Sequence, residues 1–559
     1  MTVEFINLFK KEYCEQYREE RARNSSYTVM SVKTRDGWKT IDSPYDPVKE
    51  ARHILEQGEE PCKNILLLGA GSGFIASELS SHISADILIV TGSKILAQKN
   101  KEVLSTTAMQ GKKITLIGSA TFCDDLITPI KCFFENNKNI KIIVHPREHK
   151  AYPWLFNPLS VYLNTLTFPV EKKLKKFPKK ILLPALGQIF EPDIQQDLRS
   201  KGIDVIPVES FAHRKLKPDE AWNILLTHKP DLIFSTNNKG SDRQGLIPEA
   251  CAYAGIPWAT WFLDQPYFLV TRDEMHERQN RFSFCWDTAG TEACRELGFT
   301  HVELLPLAAH HKIFTPGDGD RTLEGKIVYV GSPSFGNEEK YFAAIKNDPF
   351  AERIAEVCEQ DIWRTRKLPA LKDIEEAVQM LGIQQEYFSL ETFHRLPAFA
   401  LYKANLKYRI EALCALADLQ PVVYGEGWEG LLPDTVELRS YVDYYTDLAA
   451  IYRSDAVHLS LTHLQMRHYP NQRIFDAGAC SRIVLGERLE GWESLFGSGF
   501  DDLLFSDFFE LREKALTLMH SREKRALYGR ELFRIIREKH TLSHRLDTML
   551  NTLYNGGAH

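Results

Sequence analysis

The residues best suited to chemistry stand where apolar runs stop. Trp258-Ala-Thr-Trp261-Phe-Leu ends in Asp264-Gln265-Pro266, and Asp231-Leu-Ile-Phe-Ser-Thr ends in Asn237-Asn238. A carboxylate at such a point can take the proton of a hydroxyl nucleophile or hold sugar hydroxyls, with the amides of Asn237 and Gln265 beside it. Asp264 can equally cap the turn that follows. Further along, Asn471-Gln-Arg473-Ile-Phe475-Asp476 enters a small-residue helix, Ala477-Gly478-Ala479-Cys480. There Arg473 can neutralise a diphosphate and Asp476 can accept from ribose hydroxyls. A surface ion pair at i, i+3 on a helix is the plainer reading of the same two residues.

Two glycine-bearing loops suggest anion sites. Gly69-Ala-Gly71-Ser-Gly73 follows Asn64-Ile-Leu-Leu-Leu, and glycines there permit a tight turn and close approach to a nucleotide or S-adenosylmethionine. The next strand ends in Val90-Thr91-Gly92-Ser93, without the acid that would bind ribose, which favours a structural turn. Gly187 lies between the run Leu183-Pro-Ala-Leu and a helix opening at Glu191-Pro192, where the helix N-terminus favours anions. A simple strand-to-helix turn accounts for it as well. Asp318-Gly-Asp320 has the form of a metal-binding D-x-D but sits in a Pro- and Gly-rich connector, so a solvated loop is expected. The 18 histidines show no H-E-x-x-H or other paired-ligand spacing, so neither a catalytic metal nor a bound cofactor is expected.

The elements that must position these residues repeat one grammar: a short apolar strand, a glycine-containing turn, an amphipathic helix. That is the pattern of parallel α/β domains. Strands are expected at 64–68, 86–90, 114–117 and 140–144, forming a Rossmann-like accessory domain over 61–170 behind a helical arm at 1–60. A second lobe, 180–320, has expected strands from Lys180 and at 204–208, 231–235, 258–263, 281–286 and 302–305. A third, 321–559, has them at 326–331, 421–425, 456–461, 482–485 and 502–505. It carries a helical insertion at about 337–419, in which Phe399, Tyr402, Leu406, Ile410 and Leu413 recur as one buried stripe, and a closing helix at 522–550 broken near His540. Ligands of such sheets bind at the carboxyl ends of the strands.

Composition excludes several function classes. The 559 residues are 43% apolar and 26% charged, ordinary globular values that rule out extensive disorder. Lys plus Arg is 69 against 75 Asp plus Glu, a net charge of −6 that disfavours a nucleic-acid partner. The cationic stretch 171–180 with its single proline reads as a linker. The ten cysteines show no C-x-x-C and read as small core residues in a reducing compartment. No signal-peptide pattern or apolar run of membrane-spanning length is evident, so a cytoplasmic location without a membrane span is expected.

Over about 180–555 the chain resembles a GT-B glycosyltransferase, more closely the spore-maturation CgeB-like group. The resemblance is carried by Asn471-Gln-Arg473-Ile-Phe475-Asp476-Ala-Gly478-Ala-Cys480, similar to that group's Asn-x-Arg-x-Phe-Glu-x-x-Ala-Cys-Gly element, and by the closing segment Arg522 through Leu546. Asp476 stands where the group has Glu, and Ser481 where it has Gly. The resemblance implies two Rossmann-like lobes facing a cleft. Residues Gly331, Ser332, Tyr424, Gly425, Asn471, Arg473 and Asp476 would then hold a UDP-, GDP- or dTDP-sugar. Asp264 would act as catalytic base if the reaction inverts, with Gly187, Asn237 and Gln265 on the acceptor side. The first domain resembles the N-terminal region of motility-associated factor glycosyltransferases, which implies a surface or flagellar protein, or a surface glycan, as acceptor. A sugar-nucleotide epimerase of the same shape, a methyltransferase centred on Gly69 to Gly73, and a first domain that only docks the acceptor are the alternatives.

Overall fold

The computed structural model describes residues 2–8, 15–34, 37–56, 64–82, 86–106, 113–119, 122–167, 177–185, 190–212, 214–270, 280–333, 341–384 and 387–555. The chain forms two compact units. The first comprises Met1–Lys172, Arg214–Thr227 and Asp242–Ala254, and the second the remainder.

In the first unit, β1 (Thr2–Asn7) precedes an antiparallel meander of β2 (Tyr17–Arg21), β3 (Thr28–Thr34) and β4 (Gly37–Thr40). Then follow β5 (Asn64–Leu68), β6 (Asp86–Thr91), β7 (Lys113–Gly118) and β8 (Ile140–Val144). With β1 these make a parallel sheet of order β1-β7-β6-β5-β8. Alternation divides its core in two: Leu66, Leu68, Leu88 and Val90 lie in one buried cluster, and Ile65, Leu67, Ile87 and Ile89 in another. A sheet covered on both faces is written as unbroken apolar runs, which is why these strands were visible in the sequence.

The helical arm expected over 1–60 is instead four strands and one helix, Pro47–Glu56. β1 owes its state to pairing, with Val3 opposite Ile114 and Phe5 opposite Leu116, a partner far along the chain. β2, Tyr-Arg-Glu-Glu-Arg, is exposed at every residue and is held as strand by its ladder with β3 alone. Its helix-favouring charged residues carry no strand signal. The accessory domain also extends beyond 61–170, taking in the helices Pro218–His228, most of which lies in this unit, and Leu246–Ala254. The latter packs on Pro153–Thr167, with the rings of Tyr162 and Tyr253 5.1 Å apart.

The second unit holds two parallel six-stranded sheets. The first contains β9 (Lys180–Ala185), β10 (Asp204–Glu209), β11 (Leu232–Thr236), β12 (Trp258–Phe262), β13 (Arg281–Cys285) and β14 (His301–Leu304), in the order β10-β9-β11-β12-β13-β14. The second contains β15 (Ile327–Val330), β16 (Val422–Tyr424), β17 (Glu437–Arg439), β18 (Val457–Ser460), β19 (Val484–Glu487) and β20 (Leu504–Phe505), in the order β17-β16-β15-β18-β19-β20. Strand order reverses between β9 and β11 in one and between β15 and β18 in the other, and crevices open at such points. The insertion is present as Pro349–Thr365, Leu371–Met380 and Leu396–Cys414. Of the expected stripe the last of these buries Phe399 and Leu413 but leaves Tyr402, Leu406 and Ile410 only partly buried, and it buries Leu401, Ala404 and Tyr408 instead, so it is covered on more than one face.

The carboxyl ends of the two sheets face each other, as the GT-B resemblance implies. Asp287, at the end of β13, is fully buried and accepts the successive N–H groups of Arg467, His468 and Tyr469 beyond β18, at 3.1, 2.7 and 2.8 Å. One carboxylate satisfying three backbone donors ties the lobes together more firmly than a surface ion pair. The closing helix is two helices, Arg522–Lys539 and Leu542–Asn555. The second returns to the first lobe, where Arg545 donates to the carbonyls of Pro306 and Leu307 at 2.6 and 3.0 Å and Tyr554 to that of Asp231 at 3.0 Å.

Candidate functional site

The β15/β18 crevice gathers most of the residues expected to bind a donor. Beyond Val330 the chain turns at Gly331 with φ +157°, and beside it Gly425 has φ +145°. A Cβ on Gly331 would lie 2.5 Å from Nη2 of Arg473, and one on Gly425 would lie 2.7 Å from the Gly331 carbonyl oxygen, so both positions need glycine. Gly331 N–H donates to Tyr424 O at 2.8 Å and its carbonyl accepts from Trp428 Nε1 at 2.8 Å, so its backbone is already paired. Arg473 spans the crevice. Its Nε donates to Val330 O at 2.8 Å and its guanidinium lies over the Tyr329 ring, 5.0 Å from the centroid. Asn471 caps this helix, accepting from Arg473 N–H at 3.1 Å and from Ser460 Oγ at 2.9 Å, which pins the helix N-terminus to the end of β18.

Two further cations join Arg473. Arg409, from the insertion, donates to Ser332 O at 2.9 Å while its Nε is buried with no partner among the described residues. Arg366 donates to Glu487 at 3.2 Å, with its Nη1 likewise buried and unpartnered. Burial, then the charges of Arg409, Arg366 and Arg473, push His463 down to about 3, so the imidazole stays neutral. Its Nδ1 accepts from Gln465 N–H at 3.2 Å, which puts the ring proton on Nε2. Three guanidinium groups acting on one neutral imidazole at strand ends form a place for a multiply charged anion. Next to it, Tyr424, Leu438, Arg439, Tyr441, Val442 and Asp447 line a cavity of about 570 Å³.

Asp476 is 1% exposed and both its oxygens are occupied. Oδ1 accepts from Gln472 Nε2 at 2.7 Å and His310 N–H at 3.3 Å, and Oδ2 from the Tyr444 hydroxyl at 2.7 Å. Burial raises its carboxyl to about 6 against the lowering effect of His310 and these donors. His310 is itself buried, with Nδ1 2.9 Å from Asp193 Oδ2 of the first lobe.

In the first lobe, Asn237 adopts φ +48° at the end of β11, an orientation that suits Asn. Its Oδ1 accepts from the N–H groups of Leu263 and Asp264 at 2.8 and 3.1 Å, and its Nδ2 donates to Asp264 Oδ2 at 2.8 Å. Asp264 is exposed toward the opposite lobe, and Gln465 Nε2 of that lobe reaches its Oδ1 at 3.2 Å. Gln265 turns inward: it is fully buried, and among the described residues neither amide atom has a hydrogen-bond partner. Gly187 lies outside the described residues.

The glycine loop of the first unit is filled from within. Glu148, fully buried, accepts from the N–H groups of Ala70 and Gly71, each at 2.9 Å, and of Gly92 at 3.0 Å, as well as from the Thr91 hydroxyl at 2.6 Å. A carboxylate thus occupies the amides that would cradle a phosphate, and burial raises its pKa. Asp320 caps a short turn, accepting Thr322 N–H at 2.8 Å. Among the described residues no group of three or more His, Cys, Asp or Glu is arranged to hold a metal ion, and no helix is long and apolar enough to cross a membrane. Cys251, Cys285, Cys294, Cys358 and Cys480 are buried, whereas Cys132 and Cys414 are exposed, unlike the core placement expected of all ten.

Sequence reasoning missed His463, Gln465, Arg409 and Arg366. His463 follows a predicted strand as directly as Asn237 does, so the strand-end rule would have found it. Arg409 sits on a helix with no local mark.

Residues 408–551 match a family described as glycosyl transferase-like, a span that contains Arg409, Arg473 and Asp476. No curated protein matches the chain at a significant level. Among solved structures, T4 phage BGT in complex with its UDP-glucose substrate is similar over 67% of this chain and 99% of its own, at 10% identity and a TM-score of 0.36. The N-terminal domain of trehalose-6-phosphate phosphatase from Candida albicans is similar over 90% and 99%, at 10% identity and a TM-score of 0.32. Likenesses at this level contribute nothing to the functional assignment. By the family match the chain is a glycosyltransferase in enzyme class.

Proposed function

We propose that the chain moves a glycosyl group from a nucleotide-sugar to an acceptor hydroxyl in the cleft of the second unit, in the manner of the CgeB-like group. The observation that carries this reading is Arg473 lying across the β15/β18 switch point, with its guanidinium at Gly331 and within the span of the family match. The diphosphate rests against Arg473 and Arg409 and receives a hydrogen bond from His463 Nε2. These groups offset the charge that builds on the leaving oxygen as the glycosidic bond breaks. The nucleoside enters the cavity beside Tyr424 and Arg439. Asp476 reaches ribose hydroxyls by exchanging the Tyr444 hydroxyl for one of them.

Asp264, oriented by Asn237 and reached by Gln465, accepts the proton of the attacking hydroxyl if the anomeric centre inverts. With guanidinium groups meeting the diphosphate charge, transfer proceeds in the presence of EDTA. The acceptor is a protein or a glycan at the cell surface, or a flagellar protein.

Calorimetric titration of UDP-, GDP- and dTDP-sugars into the wild type, Arg473→Ala and Asp476→Ala tests the donor site. One nucleotide class binds the wild type and is weakened at least about tenfold by Arg473→Ala. Absence of nucleotide binding, or binding indifferent to Arg473→Ala, sinks the assignment. Asp476→Ala separately reports the ribose contact.

A further inference from the structure

The first unit contains a groove that the sugar-transfer reading does not use. Among the described residues, β8 is the last strand of its sheet and pairs with β5 alone. Opposite Leu66 and Leu68, which are buried in the core that includes Leu155, Leu159 and Leu163, its Ile142 and Val144 are 36% and 40% exposed. These two residues, with Pro153, Leu163 and Leu216, form the apolar lining of a cavity of about 820 Å³. Lys39, Lys150, Lys215 and Lys217 also line it, and among the described residues none of the four forms an ion pair. Among the described residues of the lining, Asp219 is the only carboxylate, and it is held by Asn164 Nδ2 at 3.1 Å.

We infer that this groove docks an extended, acidic segment of a partner polypeptide, added as a further strand beside β8. Three features select that occupant. An edge strand offers main-chain donors and acceptors in a row, which an added strand satisfies along its length. Alternation turns every second residue of the segment to the face of Ile142 and Val144, where the four lysines also stand, so these positions are Asp or Glu. The residues between turn to the opposite face, beside the buried Ile143, so these are apolar.

A lysine that merely guards a sheet edge belongs to the edge strand, as Lys141 does. Lys39, Lys150, Lys215 and Lys217 instead converge on one cavity from β4, the helix Pro146–Ala151 and the segment after Arg214, in a chain of net charge −6. The groove belongs to the first unit and the donor site to the second, and its test requires no sugar transfer.

Fluorescence anisotropy on the full chain uses a fluorescein-labelled short peptide of alternating Asp and Val. Saturable binding is expected, weakened at least about tenfold by Lys150→Glu/Lys215→Glu/Lys217→Glu and by Val144→Asp. N-methylation of alternate peptide nitrogens, which removes the donors needed for strand pairing, weakens it as much, and a Lys–Val peptide does not bind. Circular dichroism and melting confirm that the variants are folded. Three results overturn the proposal: binding unchanged in the lysine variant, equal binding of the N-methylated peptide, or displacement by a single-stranded oligonucleotide at equal concentration. The last would show an unspecific polyanion site.

Discussion

At the scale of single residues, the second unit separates groups that are free to act from groups already committed. Asp264 is exposed in the cleft and held by Asn237, whereas Gln265, its neighbour in sequence, is buried against the fold. Asp264→Asn keeps the shape and the Asn237 contact on one oxygen but cannot take a proton. In the inverting reading kcat falls by about 100-fold or more while donor affinity stays within a factor of about two, measured by steady-state kinetics and calorimetry. Gly331→Ala acts differently. The added methyl would meet the Arg473 guanidinium at 2.5 Å, so donor affinity drops and the Tm falls together.

At the scale of elements, the helix Gln472–Ala479 is positioned at both ends. Asn471 pins its start, and at its end Ser481 takes φ +61°, the left-handed region in which a residue with a Cβ is strained. Ser481→Gly therefore raises stability by about 1 kcal/mol, seen as a higher denaturation midpoint with an unchanged slope. This also explains why a glycine is expected at that point in the CgeB-like element. Strand positions in the three parallel sheets, β1 apart, were legible because buried parallel strands are apolar throughout. β17, Glu-Leu-Arg, was not, since two of its three residues are exposed and it sits at a sheet edge. The insertion helix showed a stripe, but its role in bringing Arg409 to Ser332 depends on how Leu396–Cys414 packs, which periodicity does not encode.

At the scale of the whole molecule, three buried imidazoles set the acid limit. Burial holds His458 and His540 down to about 4, and burial with the surrounding guanidinium groups holds His463 to about 3. Each would take up a proton near 6.5 when unfolded, so the unfolded chain binds more protons below that pH. The stability these groups contribute is complete above about pH 6.5 and is lost as pH falls toward about 4. Asp476 works in the opposite sense. Its carboxyl keeps a proton up to about 6, so its contribution is present below about pH 4 and gone above about 6. Glu148, Asp242 and His145, all raised, act with Asp476, while His149 and His311, lowered by burial, act with these three imidazoles; the five imidazoles carry the balance, and calorimetric Tm is expected to fall between pH 6.5 and 4.5. His463→Gln flattens that slope. A Tm that is constant or rises over the range contradicts the burial of these imidazoles.

The sequence by itself determined the parallel α/β character, the sites at which strands give way to polar side chains, and the entry of Asn471-Gln-Arg473 into a small-residue helix. All three follow from short-range rules: an apolar run for a strand covered on both faces, a cap for a helix end. Only the tertiary structure decided which polar atoms remain available. Glu148 closes the glycine loop from a strand away, Tyr444 and Gln472 occupy Asp476, and Asp287 takes three N–H groups from the opposite lobe. Two segments of the expected second lobe, Arg214–Thr227 and Asp242–Ala254, belong to the first unit. Hydrogen-bond saturation and long-range packing join residues far apart in the chain, and no local pattern announces the partner.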